Sequence, residues 1–391
     1  LNDAIKKLII VNISLNPHNG DDPQLIFESL NSTGLDLEEA DKIRNYVLMK
    51  MTSAQQERIY KNYWEKLESK VSKEDINKFI RHYLAVKTRE LANENKLYFA
   101  FKGYREKNSI MQIEDILNDI LTYAEFYNQI KNAKISSRVQ YISKIARINR
   151  LEVNTVTPLL FDLFYAKSQT LLTEDEMSEC VSSIESYIAR RIICGLPTSA
   201  LNKIFVSMGA EIQRYIEKHG ATYLDALKYS ILTKTGKSRF PTDHDFQEKF
   251  VTYELYNAKP NSRKYFFERL ENYNNRERIA VEEQIDNGEL TIEHIMPQTL
   301  TDEWKESLGD KWELIHSKYK DTVGNLTLTA YNSDYSNLMF IKKKTLPDKG
   351  FDYSKLSLNT YIKTCNTWTE TEILNRAGLL LSWAEKIWQT P

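Results

Sequence analysis

The chain has 391 residues, of which 41% are hydrophobic and 27% charged, with a formal net charge of −1. That length suits two or three domains with sizeable cores, and the balance excludes wholesale disorder. A chain this close to neutral is not basic all over, so any nucleic-acid surface must be a local patch.

No run reaches the roughly 18 apolar residues of a membrane span. Glycine (12) and proline (9) are sparse, which favours helix. Three far-apart cysteines, Cys180, Cys194 and Cys365, show no paired spacing. A disulfide framework and a zinc ribbon are therefore not expected, and a reducing cytoplasm is the expected setting. The chain begins at Leu1, beside a strand-like run from Leu8 to Leu15. It reads as a fragment of a longer protein that lacks its own N-terminal part.

The opening run ends at the turn-rich Asn16-Pro-His-Asn-Gly20, and Asp22-Pro23 starts a helix that stops near Asn31-Ser-Thr-Gly34. Asp36 with Glu39 forms a capping pair, followed by Leu37, Ala40, Ile43 and Val47 on one helical face. From about 54 to 235 the pattern is mostly helical. Thr173-Glu-Asp-Glu176 is a capping box, leading into the stripe Met177, Cys180, Val181, Ile184, Tyr187 and Ile188. That helix closes at Gly195 with Pro197 beyond it. Lys234 to Pro241 is a polar, turn-prone connector, and the last domain boundary is placed there. Tyr265 to Glu283 reads as a helix. Thr291–Ile295 and Val323–Thr329 read as short strands, and Thr369–Trp388 as an amphipathic helix capped by Thr369 and Glu372.

Chemistry concentrates in 291–344. Thr291-Ile-Glu-His-Ile-Met-Pro-Gln298 is answered by Gly324-Asn-Leu-Thr-Leu-Thr-Ala-Tyr-Asn332. Phosphodiester hydrolysis needs an activated water, counter-charge for the phosphate, and help for the departing oxygen. A neutral imidazole accepts a proton near pH 7, and one Mg2+ with oxygen ligands supplies the charge. On these grounds His294 is the general base, and Asn325 orients the imidazole or its loop. Asn332 and Glu293 are candidate metal ligands, and Lys342, Lys343 and Lys344 are candidates for phosphate oxygens. Neighbours on an ideal strand face opposite ways. Glu293 and His294 therefore share a site only if the strand ends or bulges there. Each residue also has a plainer reading: a core histidine, a turn asparagine, a solvated lysine run.

At these residues the chain resembles the C-terminal nuclease domain of GmrSD-type, modification-dependent (type IV) restriction endonucleases, a group that includes the SspE-like phage-defence proteins. The resemblance is carried by Ile292-Glu-His-Ile-Met-Pro-Gln298, Trp304, Gly324-Asn-Leu-Thr-Leu-Thr329, and Asn332-Ser-Asp-Tyr-Ser-Asn337 with Phe340 and Lys342-Lys343. Phe240-Pro241, Phe246, Tyr256 and Arg269-Leu-Glu-Asn272 look like the approach to that nuclease. Trp368, Ile373, Arg376 and Trp388 look like its closing helix, and Arg190-Arg-Ile-Ile-Cys-Gly195 like a central helix. Ile26-Phe-Glu-Ser-Leu-Asn-Ser-Thr-Gly34 with Leu37 resembles the tail of the family's ParB-like N-terminal domain.

The resemblance implies a mainly α chain: a helical middle region, then a small ββα-metal (His-Me finger, HNH) nuclease core embedded in helices. It implies three parts, a ParB-like remnant at 1–53, a helical linker or scaffold at 54–235, and the nuclease at 236–391. It implies Mg2+ (or Mn2+), and as partners DNA, phage or modified, together with the protein's own absent N-terminal domain. His294 is then the base of a His-Asn-Asn set with Asn325 and Asn332. Asn337 is the rival for the third role, as a metal ligand. Asn332 is preferred, because in a helix beginning there Asn337 is rotated away. The family's N-terminal Asp-Gly-Gln-Gln-Arg type motif does not occur in this chain. Nucleotide hydrolysis and recognition of modified DNA are thus not expected to be complete in it.

The leading expectation is a metal-dependent DNA endonuclease or nickase acting against phage. The alternatives are a non-catalytic helical scaffold and an RNA-cleaving version of the same site. Arg190 and Arg191 are further candidates for a DNA-facing or interdomain surface, against the duller reading of an ion-paired helix end.

Overall fold

The computed structural model describes residues 37–49, 51–197, 200–273, 275 and 277–391. The opening strand, the helix after Asp22-Pro23, the Asp36 cap and the stretch from Ile26 to Gly34 lie outside these residues. The chain divides into two compact units, Leu1–Tyr127 and Asn128–Pro391. Among the described residues the architecture is helical, with a single two-stranded sheet, and no helix is long and apolar enough to cross a membrane.

In the first unit, α1 (Glu39–Leu48) packs with α2 (Ile76–Thr88) and α3 (Leu97–Lys107). Ala40, Ile43 and Val47 are buried along one face of α1, at the spacing a 3.6-residue period requires. They meet a core containing Phe79, Ile80, Tyr83 and Phe101.

The second unit begins with helices α4 (Gln140–Arg150), α5 (Thr157–Ser168), α6 (Glu174–Ile193), α7 (Leu201–His219) and α8 (Tyr223–Leu232). The Thr173–Glu176 capping box forms, satisfying the orphan donors at the start of α6. The whole predicted stripe of α6 is buried. At its end Gly195 takes φ +64°, and the amide of Leu196 donates to the Arg191 carbonyl. Glycine accepts this left-handed turn without strain.

The connector at 234–241 lies inside this unit, and its flanks are tied by buried polar pairs. Arg147 of α4 grips Glu268 of α10 (Pro260–Glu271) through two bonds, 3.0 and 2.9 Å. The Tyr265 hydroxyl donates to Glu185 of α6 at 2.8 Å and accepts from the Trp388 indole at 2.7 Å. Between connector and α10 runs α9 (Asp243–Thr252), capped by Thr242 and Asp245.

The helix expected over Tyr265–Glu283 is two helices. α10 ends at Glu271, and the chain resumes helix only at Val281–Asp286. The Asn272 side chain explains the break. It donates to the Ile279 carbonyl and accepts from the Ile279 amide, both at 3.0 Å, closing the intervening loop. A side chain that satisfies backbone groups in this way competes with helix.

Strand β1 (Thr291–His294) pairs antiparallel with β2 (Leu326–Thr329) in the register Thr291↔Thr329 to His294↔Leu326. The connection carries α11 (Asp302–Leu308) and α12 (Trp312–Tyr319). After β2 come the one-turn α13 (Asn332–Tyr335), then α14 (Phe340–Thr345), and finally α15 (Glu370–Ile387), which has the expected Thr369–Glu372 box. Ile295, Met296, Trp304, Tyr335, Phe340, Trp368 and Ile373 form the core beneath the hairpin.

Candidate active site

His294 ends β1, and the pairing does not bulge there: the Ile295 amide still donates to the Asn325 carbonyl at 3.0 Å. A regular strand sends consecutive side chains to opposite faces. Glu293 accordingly goes to Lys343 of α14, while His294 goes to Tyr256 and Asp321. The strand does end at His294, but its backbone stays in register through Ile295, so the two side chains remain on opposite faces.

The His294 ring is 7% exposed, yet polar groups hold it. Its Nε2 lies 3.1 Å from Asp321 Oδ1. The ring meets Tyr256 edge to face, with centroids 4.4 Å apart. Nδ1 carries no hydrogen bond among the described residues and is not among their buried orphan atoms, so it keeps contact with solvent. Burial pushes the imidazole below its ordinary pKa, against the opposing pull of Asp321. The ring is thus neutral near pH 7, the state a general base needs.

Asn325 is fully buried and uses its whole carboxamide. Its oxygen accepts from the Met296 amide (2.8 Å) and the Trp368 indole (3.0 Å). Its NH2 donates to the carbonyls of Met296 and Lys320, both at 2.9 Å. With every polar position filled, Asn325 fastens the segment after His294 to the turn that carries Asp321. It has nothing left with which to touch a substrate.

Asn332 opens α13 as expected, and its NH2 donates to the Ile292 carbonyl on the outer edge of β1 (3.0 Å). Its carboxamide oxygen carries no hydrogen bond among the described residues. Asn337 is exposed, beyond the Ser336 turn that stops the helix. Among the described residues no three His, Cys, Asp or Glu side chains gather into a metal-binding group. The Glu293 carboxylate is held by Lys343, whereas the Asn332 carboxamide oxygen, beside the Ile292 carbonyl, is a hard oxygen donor. This is the ligand chemistry that Mg2+ or Mn2+ accepts when water and phosphate complete the shell.

The three lysines part company. Lys342 is exposed and available to a phosphate. Lys343 is 0% exposed and spends its ammonium on Glu293 Oε1 (2.6 Å) and the carbonyls of His294 (3.0 Å) and Ile295 (3.2 Å). Lys344 is buried and donates to the Cys365 carbonyl at 2.7 Å. Phosphate contact by Lys343 and Lys344 is therefore corrected to an internal role.

The same holds for Arg190 and Arg191, each 1% exposed. Arg190 stacks on Phe240 and Phe246, donates to the Trp388 carbonyl, and pairs with Asp243 at 2.6 Å. Arg191 donates to the carbonyls of Arg239 and Pro197. They are interior braces, and a DNA-facing role is withdrawn.

Burial pushes the Glu293 carboxyl up to about 6, with Lys343 pulling it back. Burial likewise pushes the Lys343 ammonium down, against the pull of Glu293. A raised carboxyl pKa contributes stability that is full below the ordinary 4.5 and lost as pH rises through about 6. Replacing Lys343 by methionine strips the counter-ion and raises Glu293 further. The expected loss is about 3–5 kcal/mol at pH 8, where a buried carboxylate is left unpaired, and distinctly less at pH 5, where it can take a proton. Denaturant melts at the two pH values read this directly. Equal losses at both would remove the ion-pair account.

Asp321, and the packing of Tyr256 on the imidazole, are the parts of the site that sequence reasoning did not assign. The available signal was chemical: a working imidazole needs an acceptor on its second nitrogen, and Asp321 is an acidic residue in the turn leading to Gly324-Asn325.

Residues 240–383, which contain His294, Tyr256, Asp321, Asn325, Asn332 and the lysine run, match the family model described as GmrSD restriction endonucleases, C-terminal domain. That stretch is similar to the C-terminal domain of those enzymes. No curated protein matches the chain.

Proposed function

We propose that this chain cuts DNA as a metal-dependent endonuclease or nickase of the His-Me finger (HNH) type, with His294 as general base. The observation that carries the reading is the imidazole at the end of β1, fixed at Nε2 and open at Nδ1, within the stretch that matches the restriction-endonuclease model. The hairpin followed by a one-turn helix supports a ββα-metal core.

In the proposed reaction Nδ1 takes a proton from water, and the water oxygen forms the new bond to phosphorus as the bond to the leaving oxygen breaks. The leaving oxygen is protonated from solvent, and no redox partner is needed. Asn332 would hold Mg2+ or Mn2+ with water and phosphate oxygens completing the shell, while the Glu293 carboxylate, on the face opposite His294 and held by Lys343, is left out of this site. A bound cation supplies positive charge to the phosphate and the departing oxygen. Exposed Lys342 is kept as the phosphate contact.

The wider reading goes beyond the matched stretch and rests on the sequence resemblance alone. It makes the chain the nuclease end of a type IV, SspE-like anti-phage system in the cytoplasm, joined through helices 54–235 to a ParB-like N-terminal part that bears nucleotide use and recognition of modified DNA.

A plasmid-nicking assay with Mg2+, Mn2+ or EDTA tests it. Cleavage is expected only with the divalent ion. Asn332→Ala is expected to weaken Mn2+ binding, followed by calorimetry or electron paramagnetic resonance, by about tenfold or more. EDTA-resistant cutting of RNA would instead assign the metal-free RNA version. A folded chain that cuts neither nucleic acid would leave the scaffold reading.

A further inference from the structure

We propose that Asp321 is a positioning residue that fixes His294 in the tautomer with its proton on Nε2, making Nδ1 the atom that receives a proton. The inference rests on the nuclease reading above and deepens it.

Asp321 is 8% exposed, and its Oδ1 faces Nε2 at 3.1 Å. A carboxylate only accepts hydrogen bonds, so Nε2 must be the protonated nitrogen and Nδ1 the one with the lone pair. The surroundings hold both partners still. The Asp321 carbonyl accepts from the Tyr256 amide at 3.2 Å, and the Tyr256 ring packs on the imidazole. Asn325 ties the Lys320 carbonyl, one residue before Asp321, to Met296, two residues beyond His294. The turn bearing the carboxylate and the strand end bearing the ring are thus locked in one frame. Lys320 Nζ lies 3.8 Å from Asp321 Oδ2, so the ammonium meets the second carboxylate oxygen and leaves Oδ1 to the imidazole. The carboxylate also accommodates the imidazolium that forms when Nδ1 gains its proton.

The discriminating variant is Asp321→Asn. Its amide NH2 can turn toward Nε2, which then must be the acceptor, and the ring proton moves to Nδ1. Turnover is expected to fall by about 10³–10⁴-fold, the scale on which a wrong tautomer acts where an acid holds a catalytic imidazole. KM and the thermal midpoint are expected to change little. Asp321→Glu retains a carboxylate and is expected to recover part of the loss. The direct readout is the ¹⁵N imidazole spectrum of histidine-labelled chain at a pH where His294 is neutral, with the signal assigned by its absence in His294→Ala. Wild type is expected to show Nε2–H, and Asp321→Asn to show Nδ1–H.

A wild-type spectrum with the proton on Nδ1 overturns the proposal whatever the activity. So does Asp321→Asn with wild-type turnover and tautomer, an outcome that leaves the nuclease reading standing. Wild-type chain that shows Nε2–H yet cuts no nucleic acid sinks the nuclease reading and takes the catalytic part of this proposal with it.

Discussion

Arg376→Met is expected to lower the stability of the second unit by more than about 3 kcal/mol, because it orphans several buried carbonyls at about 1–3 kcal/mol each. Arg376 is fully buried on α15. Its Nη1 donates to the carbonyls of Val323 (2.8 Å), Gly324 (2.9 Å) and Leu326 (2.8 Å), and its Nη2 to that of Leu358 (3.2 Å). It closes the turn that leads into β2. Burial drags its pKa down to about 9, even with Cys365 and Glu271 pulling it up. The guanidinium is kept in so dry a place because carbonyls surround it. Against a total stability of about 5–15 kcal/mol, such a loss is large. Gly324→Ala attacks the same seam from the other side. A Cβ there would lie 2.5 Å from the Ile373 carbonyl oxygen and 3.0 Å from the Ile373 Cγ2, so α15 would have to move. Guanidinium melts of the two variants are the check. A wild-type midpoint for Arg376→Met would mean that the clamp contributes nothing.

Much of the frame was legible because it is local. The Thr173 and Thr369 capping boxes, the α6 stripe and the Gly195 stop are short-range patterns, and each appears where expected, whereas β2 starts only at Leu326, after a turn at Val323–Asn325, and is buried along its whole length. The lysine run was not legible in the same way. Consecutive helical residues point about 100° apart, so three lysines cannot share one face. Lys343 and Lys344 face inward because acceptors from β1 and from Cys365 meet them there. Those acceptors lie far away in the chain, and no local pattern announces them. Arg190 and Arg191 illustrate the same point: their acceptors come from the connector, α9 and the end of the chain. The Asn272 loop and the Asp321–His294 pair are likewise settled by single side-chain hydrogen bonds, which periodicity does not encode.

His294→Ala is expected to reduce DNA cleavage by about 10²–10⁴-fold, the usual contribution of a positioned general base. The strand should survive the change. β1 is held by its pairing with β2, by Lys343 on the His294 and Ile295 carbonyls, and by Asn325 on Met296. None of these uses the imidazole. The cost to the fold is confined to the unmatched Asp321 oxygen and the face of Tyr256. The most direct measurement is single-turnover cleavage of duplex DNA with Mg2+ or Mn2+, comparing wild type with His294→Ala whose circular dichroism and melting are native. The account predicts metal-dependent cutting by wild type and its near-complete loss in the variant. Equal rates from the two proteins would contradict it.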